Sequence, residues 1–173
     1  MSNWNINPQA GVDFTATYTV DTAAPEYPGP PFLPGTRMFG TNGSCYIFVK
    51  AALAVSRYRV VIVDDVTTWG VRQITNTLAR AAFGMPVGVV ACPDGIAANS
   101  YGWIQVAGYA SSAAFNTSSA AFSQAYTDAS GVLMSTTAAP GTNAAVDGIV
   151  LLSTAAGNFG PAFLNFPTVG AAQ

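Results

Sequence analysis

"NSYGWIQVAGYA", residues 99–110, is the stretch on which the fold turns. Read as a strand, it sends Tyr101, Trp103 and Gln105 to one face and Gly102, Ile104 and Val106 to the other, because successive side chains alternate. One face is aromatic, the other is aliphatic, and the twelve residues carry no charge. A strand in a solvated antiparallel sheet shows one polar face. Here both faces call for cover, and a sister subunit is the expected source of the second.

Composition agrees with a protein that spends its surface on contacts. Half of the 173 residues are hydrophobic and only 8% are charged, against about 25% in an average soluble domain. Disordered chains combine low hydrophobicity with high charge, so disorder is not expected. Apolar runs such as "YRVVIVDD" and "GMPVGVVACP" are far shorter than a membrane-spanning helix requires. With a net charge of −2 and six scattered basic residues, the chain lacks the clustered footprint of a nucleic-acid binder. "MSNWNINPQAGVDF" has neither a basic nor an apolar leader region, so no export signal is expected. Cys45 and Cys92 sit in apolar runs and read as buried reduced thiols of a chain made in the cytoplasm, with a disulfide as the alternative.

Outward from the opening stretch, the chain divides into an extended Pro-rich N-terminal arm, residues 1–36, and a β-rich domain, residues 37–173. "APEYPGPPFLPG" holds five prolines, which cannot donate to sheet or helix ladders. Aromatic residues punctuate the arm, which reads as lying on either its own domain or a neighbour, and Trp4, Tyr18, Tyr27 and Phe32 are its candidate anchors on a partner. From residue 37 the texture is β. "RMFGTNGSCYIFVK" reads as strand, Asn42-Gly43 turn, strand, and "YRVVIVD" as a β-branched strand. In "ITNTLARAAFGM" the signal is mixed. A helix would gather Ile74, Leu78 and Ala81 or Ala82 on one face, but Thr75, Asn76 and Thr77 favour loop or strand. The Ser/Ala-rich region 111–131 is low in complexity, and "GVLMST", "GIVLLST" and "FLNFPTVG" end the chain as short strands. Short strands separated by Gly, Pro and Asn turns define an all-β fold, a small β-barrel or β-sandwich.

Chemistry is hard to build from this inventory. The chain has no histidine, which removes the usual triads and the general base suited to neutral pH. Asp64 and Asp65 are sequence neighbours and point to opposite faces of a strand, so they cannot flank one bond. Asp94 in "CPDG" reads as a turn residue, with calcium coordination the alternative. Arg57 and Arg59 flank Tyr58 at what reads as a solvated strand edge. No catalytic residue, cofactor site or metal site is expected. Tyr101, Trp103 and Tyr109 read as core or subunit-interface residues and are the candidates for the interface, with a sugar-stacking platform as their alternative role.

In the order "PGTRMFGTNGSCYIFVKAALAVSRYRVVIVDD", "GMPVGVVAC", "NSYGWIQVAG", "GVLMSTTA", "DGIVLLSTAAG" and "FLNFPTVG", the chain resembles the capsid decoration (cement, or head-stabilising) proteins of tailed bacteriophages. The likeness runs from about Pro34 to Gly170 and rests on texture motifs, "YGWIQVAG" and the hairpin into "YIFVKA" above all. It implies a homotrimer on the outer surface of the mature head, with the major capsid protein as partner. It also implies no enzymatic activity, no cofactor, no nucleic acid and no membrane. A virion-borne carbohydrate-binding or adhesin module is the alternative, as is another virion subunit such as a tail tube or fibre.

Overall fold

The computed structural model describes residues 12–19, 29–40, 42–117, 119–135 and 143–172. Turn residues divide these into strands β1 (Arg37–Phe39), β2 (Cys45–Ala51), β3 (Val60–Asp65) and β4 (Gly70–Gln73), helix α1 (Asn76–Arg80), and strands β5 (Val87–Val90) and β6 (Tyr101–Ala114). Strands β7 (Ala125–Thr127), β8 (Leu133–Met134), β9 (Ala144–Leu151) and β10 (Phe159–Ala172) follow. The all-β expectation holds, and of barrel and sandwich the chain forms the barrel.

Closure comes from two strands that each serve neighbours on both edges. The order β2-β4-β3-β5-β6 returns to β2, because β6 pairs antiparallel with β2 through Phe48↔Trp103 and Ile47↔Ile104. All pairings in this ring are antiparallel except β2–β4, where Lys50 faces Gly70 and Ala51 faces Val71. Alternation then sorts the side chains. Cys45, Ile47, Val49, Val61, Val63, Val71, Val90, Ile104 and Val106 fill the barrel, with Val55, Cys92 and Ile96 packed against them. A ring of five strands is narrow, so it has room for few large side chains. Gly88 and Gly102 meet that limit. A Cβ on Gly102 would lie 2.8 Å from Ile96 Cδ1 and 3.0 Å from Cys92 Sγ. One on Gly88 would lie 2.8 Å from Ile104 Cδ1 and 3.0 Å from the Gln105 carbonyl.

Beyond the barrel, β6 continues into a second sheet with β10, β9, β7 and β8. A single parallel bridge, Phe115↔Leu133, ties β8 back to the end of β6. The register slips between Gly160 and Ala162, so Ser111 and Ser112 together face Pro161. A bulge is where a strand tolerates a residue without an N–H. The largest core lies between this sheet and the outer face of β3 and β5. It holds Val60, Ile62, Val87 and Val89 from the barrel and Phe115, Leu133, Val146, Ile149, Leu151 and Leu164 from the sheet. The low-complexity stretch enters it through Ala113 and Ala125, whose small side chains allow close approach.

Two local expectations need revision. The "RMFGTNGSCYIFVK" hairpin forms, but as a loop from Gly40 to Ser44, closed by the Gly40 N–H on the Ser44 carbonyl at 2.8 Å, with Gly43 left-handed at φ 71°. In "ITNTLARAAFGM" the helix prevails over loop or strand. Thr75 stays extended and caps α1, its Oγ1 accepting the Leu78 N–H at 3.3 Å. The threonine counted against a helix is the residue that starts it.

Gly88→Val should destabilise the protein by about 1–3 kcal/mol through overpacking of the barrel. Gly29→Ala, with nothing within 4 Å of the added Cβ, should be neutral within about 0.5 kcal/mol. Urea unfolding midpoints of the two variants provide the comparison.

Candidate interaction surfaces

The aromatic face of "YGWIQVAG" is covered by the chain's own N-terminal segment. Residues 12–19 read Val-Asp-Phe-Thr-Ala-Thr-Tyr-Thr, and burial follows the same alternation, with Val12, Phe14, Ala16 and Tyr18 turned inward. Tyr18 and Tyr101 exchange backbone hydrogen bonds at 2.8 and 2.7 Å, which docks this segment beside β6. Phe14 stacks on Tyr46 at 4.2 Å between ring centroids and meets Trp103 edge-on at 5.2 Å. Phe32 approaches Trp103 at 5.1 Å and Phe48 at 5.4 Å. Tyr18 meets Phe48 edge-on at 5.8 Å. Edge-to-face pairs at these distances each add about 0.5–1.5 kcal/mol beyond their buried area.

This corrects the assignment of that face to a sister subunit. Trp103 is fully buried within one chain, and Tyr101 is half-buried, stacked on Phe48 at 5.8 Å. No second copy is needed to cover them. Tyr18 and Phe32 point into this cluster and so cannot also anchor the arm on a partner while docked. Trp4 and Tyr27, the other two candidate anchors, lie outside the described residues. Of the three predicted interface residues only Tyr109 is on the surface, 55% exposed.

Tyr109 has company that sequence inspection overlooked. Phe163 on β10 lies opposite Tyr109 on β6 and opposite Val150 on β9. Register partners point to the same side of a sheet. Their neighbours Ala110, Ala162, Leu164, Ile149 and Leu151 face the core. Phe163 is 50% and Val150 38% exposed, so the three form an apolar row across three strands. Phe122, 75% exposed, adjoins it, its N–H bonded to the Leu151 carbonyl at 2.8 Å. The signal was present in "FLNF", where Phe163 and Leu164 alternate and only one of them can face inward.

The remaining polar groups serve structure. Asp64 pairs with Arg72. Asp65 accepts the Thr67 and Thr68 hydroxyls at 2.6 and 2.7 Å and the Thr67 N–H at 2.8 Å, which closes the β3–β4 turn. The Thr67 hydroxyl first, then that of Thr68, holds the Asp65 carboxyl well below its ordinary value. Arg57 lies over the Tyr58 ring at 5.8 Å. A cleft of about 240 Å3 at one mouth of the barrel is lined by Arg37 with Ile47, Val106, Phe166 and Pro167, without a carboxylate. Among the described residues no three His, Cys, Asp or Glu side chains cluster as a metal site would require. No described helix is long and apolar enough to cross a membrane. No protein-family model and no curated protein matches the chain.

Both cysteines are free and buried, and the Cys92 thiol donates to the Ala16 carbonyl at 3.4 Å, directly under the docked segment. Phe14→Ala should therefore speed labelling of Cys92 by a thiol reagent and leave Cys45, buried inside the barrel, slow. Equal rates in wild type and variant would mean that the segment does not shield the thiol.

Burial pushes the Cys45 and Cys92 thiols above their ordinary 9.0 and the Tyr18 phenol above its ordinary 10.0. Folding favours the neutral forms, so their contribution is complete below the unfolded-state values and is lost as pH rises through the folded-state ones. Urea midpoints should be level from neutrality to about pH 9 and decline above it. Replacing both cysteines by alanine should flatten the first part of that decline.

Proposed function

We propose that the chain is a structural protein of a tailed-bacteriophage virion. In this reading it is a decoration, or cement, protein made in the host cytoplasm. It binds the exterior of the mature head as a trimer and stabilises the shell by bridging copies of the major capsid protein. The observation that carries the proposal is the exposed apolar row of Tyr109, Phe163 and Val150, which lie side by side on β6, β10 and β9. Aromatic side chains on a firm backbone are what protein interfaces use as anchors. The resemblance of the "YGWIQVAG" and "YIFVKA" stretches to decoration proteins points the same way.

Scarce charge also suits the role. Desolvating Ser, Thr and Asn costs less than desolvating Lys or Glu, so attachment needs few ion pairs and depends little on salt. Three copies of each contact in a trimer multiply modest affinities into avid attachment wherever the shell spacing matches. A ligand of the assembled shell that does not bind its separated parts stabilises the shell by mass action. On this reading the protein has no enzymatic activity, and neither nucleic acid nor membrane is a partner.

A second reading draws on the same row. Tyr109 and Phe163 present adjacent exposed rings, a surface on which sugars can stack, as in a virion-borne carbohydrate-binding module. A glycan array separates the two readings.

Heat-induced DNA release from heads carrying the protein should occur at a higher temperature than from bare heads. Immature shells, with different spacing, should bind it poorly. Equal release temperatures with the protein demonstrably on the shell would refute the reinforcing role.

A further inference from the structure

We infer that Asn42 is a self-modifying site. In the folded protein its side-chain amide reacts with the backbone nitrogen of Gly43 and leaves a carboxylate at the tip of the β1–β2 loop. The inference stands apart from the proposed function and holds whatever the chain binds.

The chain joins Asn or Asp to a glycine at Asn42-Gly43, Asp94-Gly95 and Asp147-Gly148. Glycine matters here because a Cβ would obstruct its nitrogen on the way to the preceding side chain. It also adopts the turn conformations that bring the two groups together. The fold restrains the second and third of these steps. The Gly95 N–H donates to the Cys92 carbonyl at 3.0 Å, and a Cβ on Gly95 would lie 2.3 Å from the Val55 carbonyl oxygen. Gly148 lies inside β9, where a Cβ would lie 2.6 Å from the Asn165 carbonyl oxygen.

Asn42-Gly43 is free of such restraint. Both residues are exposed, Gly43 is left-handed at φ 71°, and nothing lies within 4 Å of its Cβ position. Neither the Asn42 side chain nor the Gly43 N–H has a hydrogen-bond partner among the described residues. The base of the loop, by contrast, is fixed. The Gly40 N–H donates to the Ser44 carbonyl at 2.8 Å, and Ser44 is buried against Gly108 of β6. The tip therefore reaches the attack geometry without breaking a strand hydrogen bond, and proximity does the rest.

The chemistry needs only water. A bond forms from the Gly43 nitrogen to Asn42 Cγ as the Cγ–Nδ2 bond breaks, and the displaced NH2 group leaves as ammonia with the glycine's amide proton. Water then opens the cyclic imide at either carbonyl. One opening gives an aspartate with the backbone unchanged, and the other an isoaspartate whose backbone runs through Cβ and Cγ. Nothing is oxidised or reduced. Hydroxide removes the proton from the attacking nitrogen, so the rate rises with pH. Residues 37–51 contain Arg37 and Lys50 and no acid, so the product is the first carboxylate of this hairpin and makes the net charge of −2 more negative by one.

The test ages the purified full chain in mildly alkaline buffer and digests it with trypsin. Cleavage after Arg37 and Lys50 releases residues 38–50, in which Asn42 is the only amide side chain. This fragment should gain the mass difference between O and NH and elute as two products. The same fragment, synthesised and aged alongside, sets the unrestrained rate. The folded chain should react within about tenfold of that rate, equivalent to about 1.4 kcal/mol in barrier. Circular dichroism melts before and after ageing establish that the chain stays folded. An Asn42→Gln chain should gain no mass, because its attack would have to close a larger ring. A folded chain that keeps its amide while the free fragment converts overturns the inference, as does a mass gain that persists in Asn42→Gln.

Discussion

Two-sided burial of the first half of β6 is the constraint from which the rest of the structure follows. Its aliphatic face closes the barrel through Ile104 and Val106, and its aromatic face receives the N-terminal segment through Trp103. Neither cover can be removed alone. Without the barrel, Ile104 and Val106 are exposed. Without the segment, Trp103 and Phe48, two of the three largest fully buried side chains, lose a wall. Truncating a buried aromatic costs about 3–5 kcal/mol, a large share of the 5–15 kcal/mol by which domains are stable. Residues 12–19 and Phe32 therefore belong energetically to the core that they cover.

The second half of the same strand behaves differently because the register changes. Gly108 is left-handed at φ 86°, and the slip opposite Pro161 re-aims the side chains that follow. Inward positions pass to alanines and Phe115, while Tyr109 turns to solvent and falls into line with Phe163 and Val150. One strand thus covers its first seven positions within its own chain and turns its ninth, Tyr109, to solvent. The two halves are linked mechanically. The barrel and the row share one continuous strand, and side chains held on paired strands can be matched by a partner with little reordering.

Scarcity of charge shapes both halves. Among the described residues Asp64–Arg72 is the one ion pair, and the turns are closed instead by Asp65 on Thr67 and Thr68 and by Asp128 on Ser130, short local contacts that need no counter-ion. Edges are short or tied back, so a surface with so little charge is still protected against strand-to-strand aggregation. Of the exposed large apolar side chains, Tyr109, Val150 and Phe163 stand together on a sheet face, while Leu33, Leu53, Val66, Phe83 and Phe122 lie in loops.

The sequence by itself determined the all-β class, most strand positions, and the two-faced character of residues 101–106, because alternation and turn residues are local properties of the chain. It also contained "VDFTATYT", whose alternation matches the observed burial, but the neighbouring prolines drew that stretch into an arm whose resting place, its own domain or a neighbour, stayed open. Only tertiary structure decided which surface covers which. Closure of the ring depends on β6 pairing with β2 across more than fifty residues of sequence, and such pairings leave no periodic trace. The identity of the exposed aromatics was hidden for the same reason. Phe163 and Leu164 are equally apolar on paper, and the one that faces solvent is set by the register of β10 against β6 and β9. Alternation reveals that a strand has two faces, but long-range pairing chooses which of them is inside.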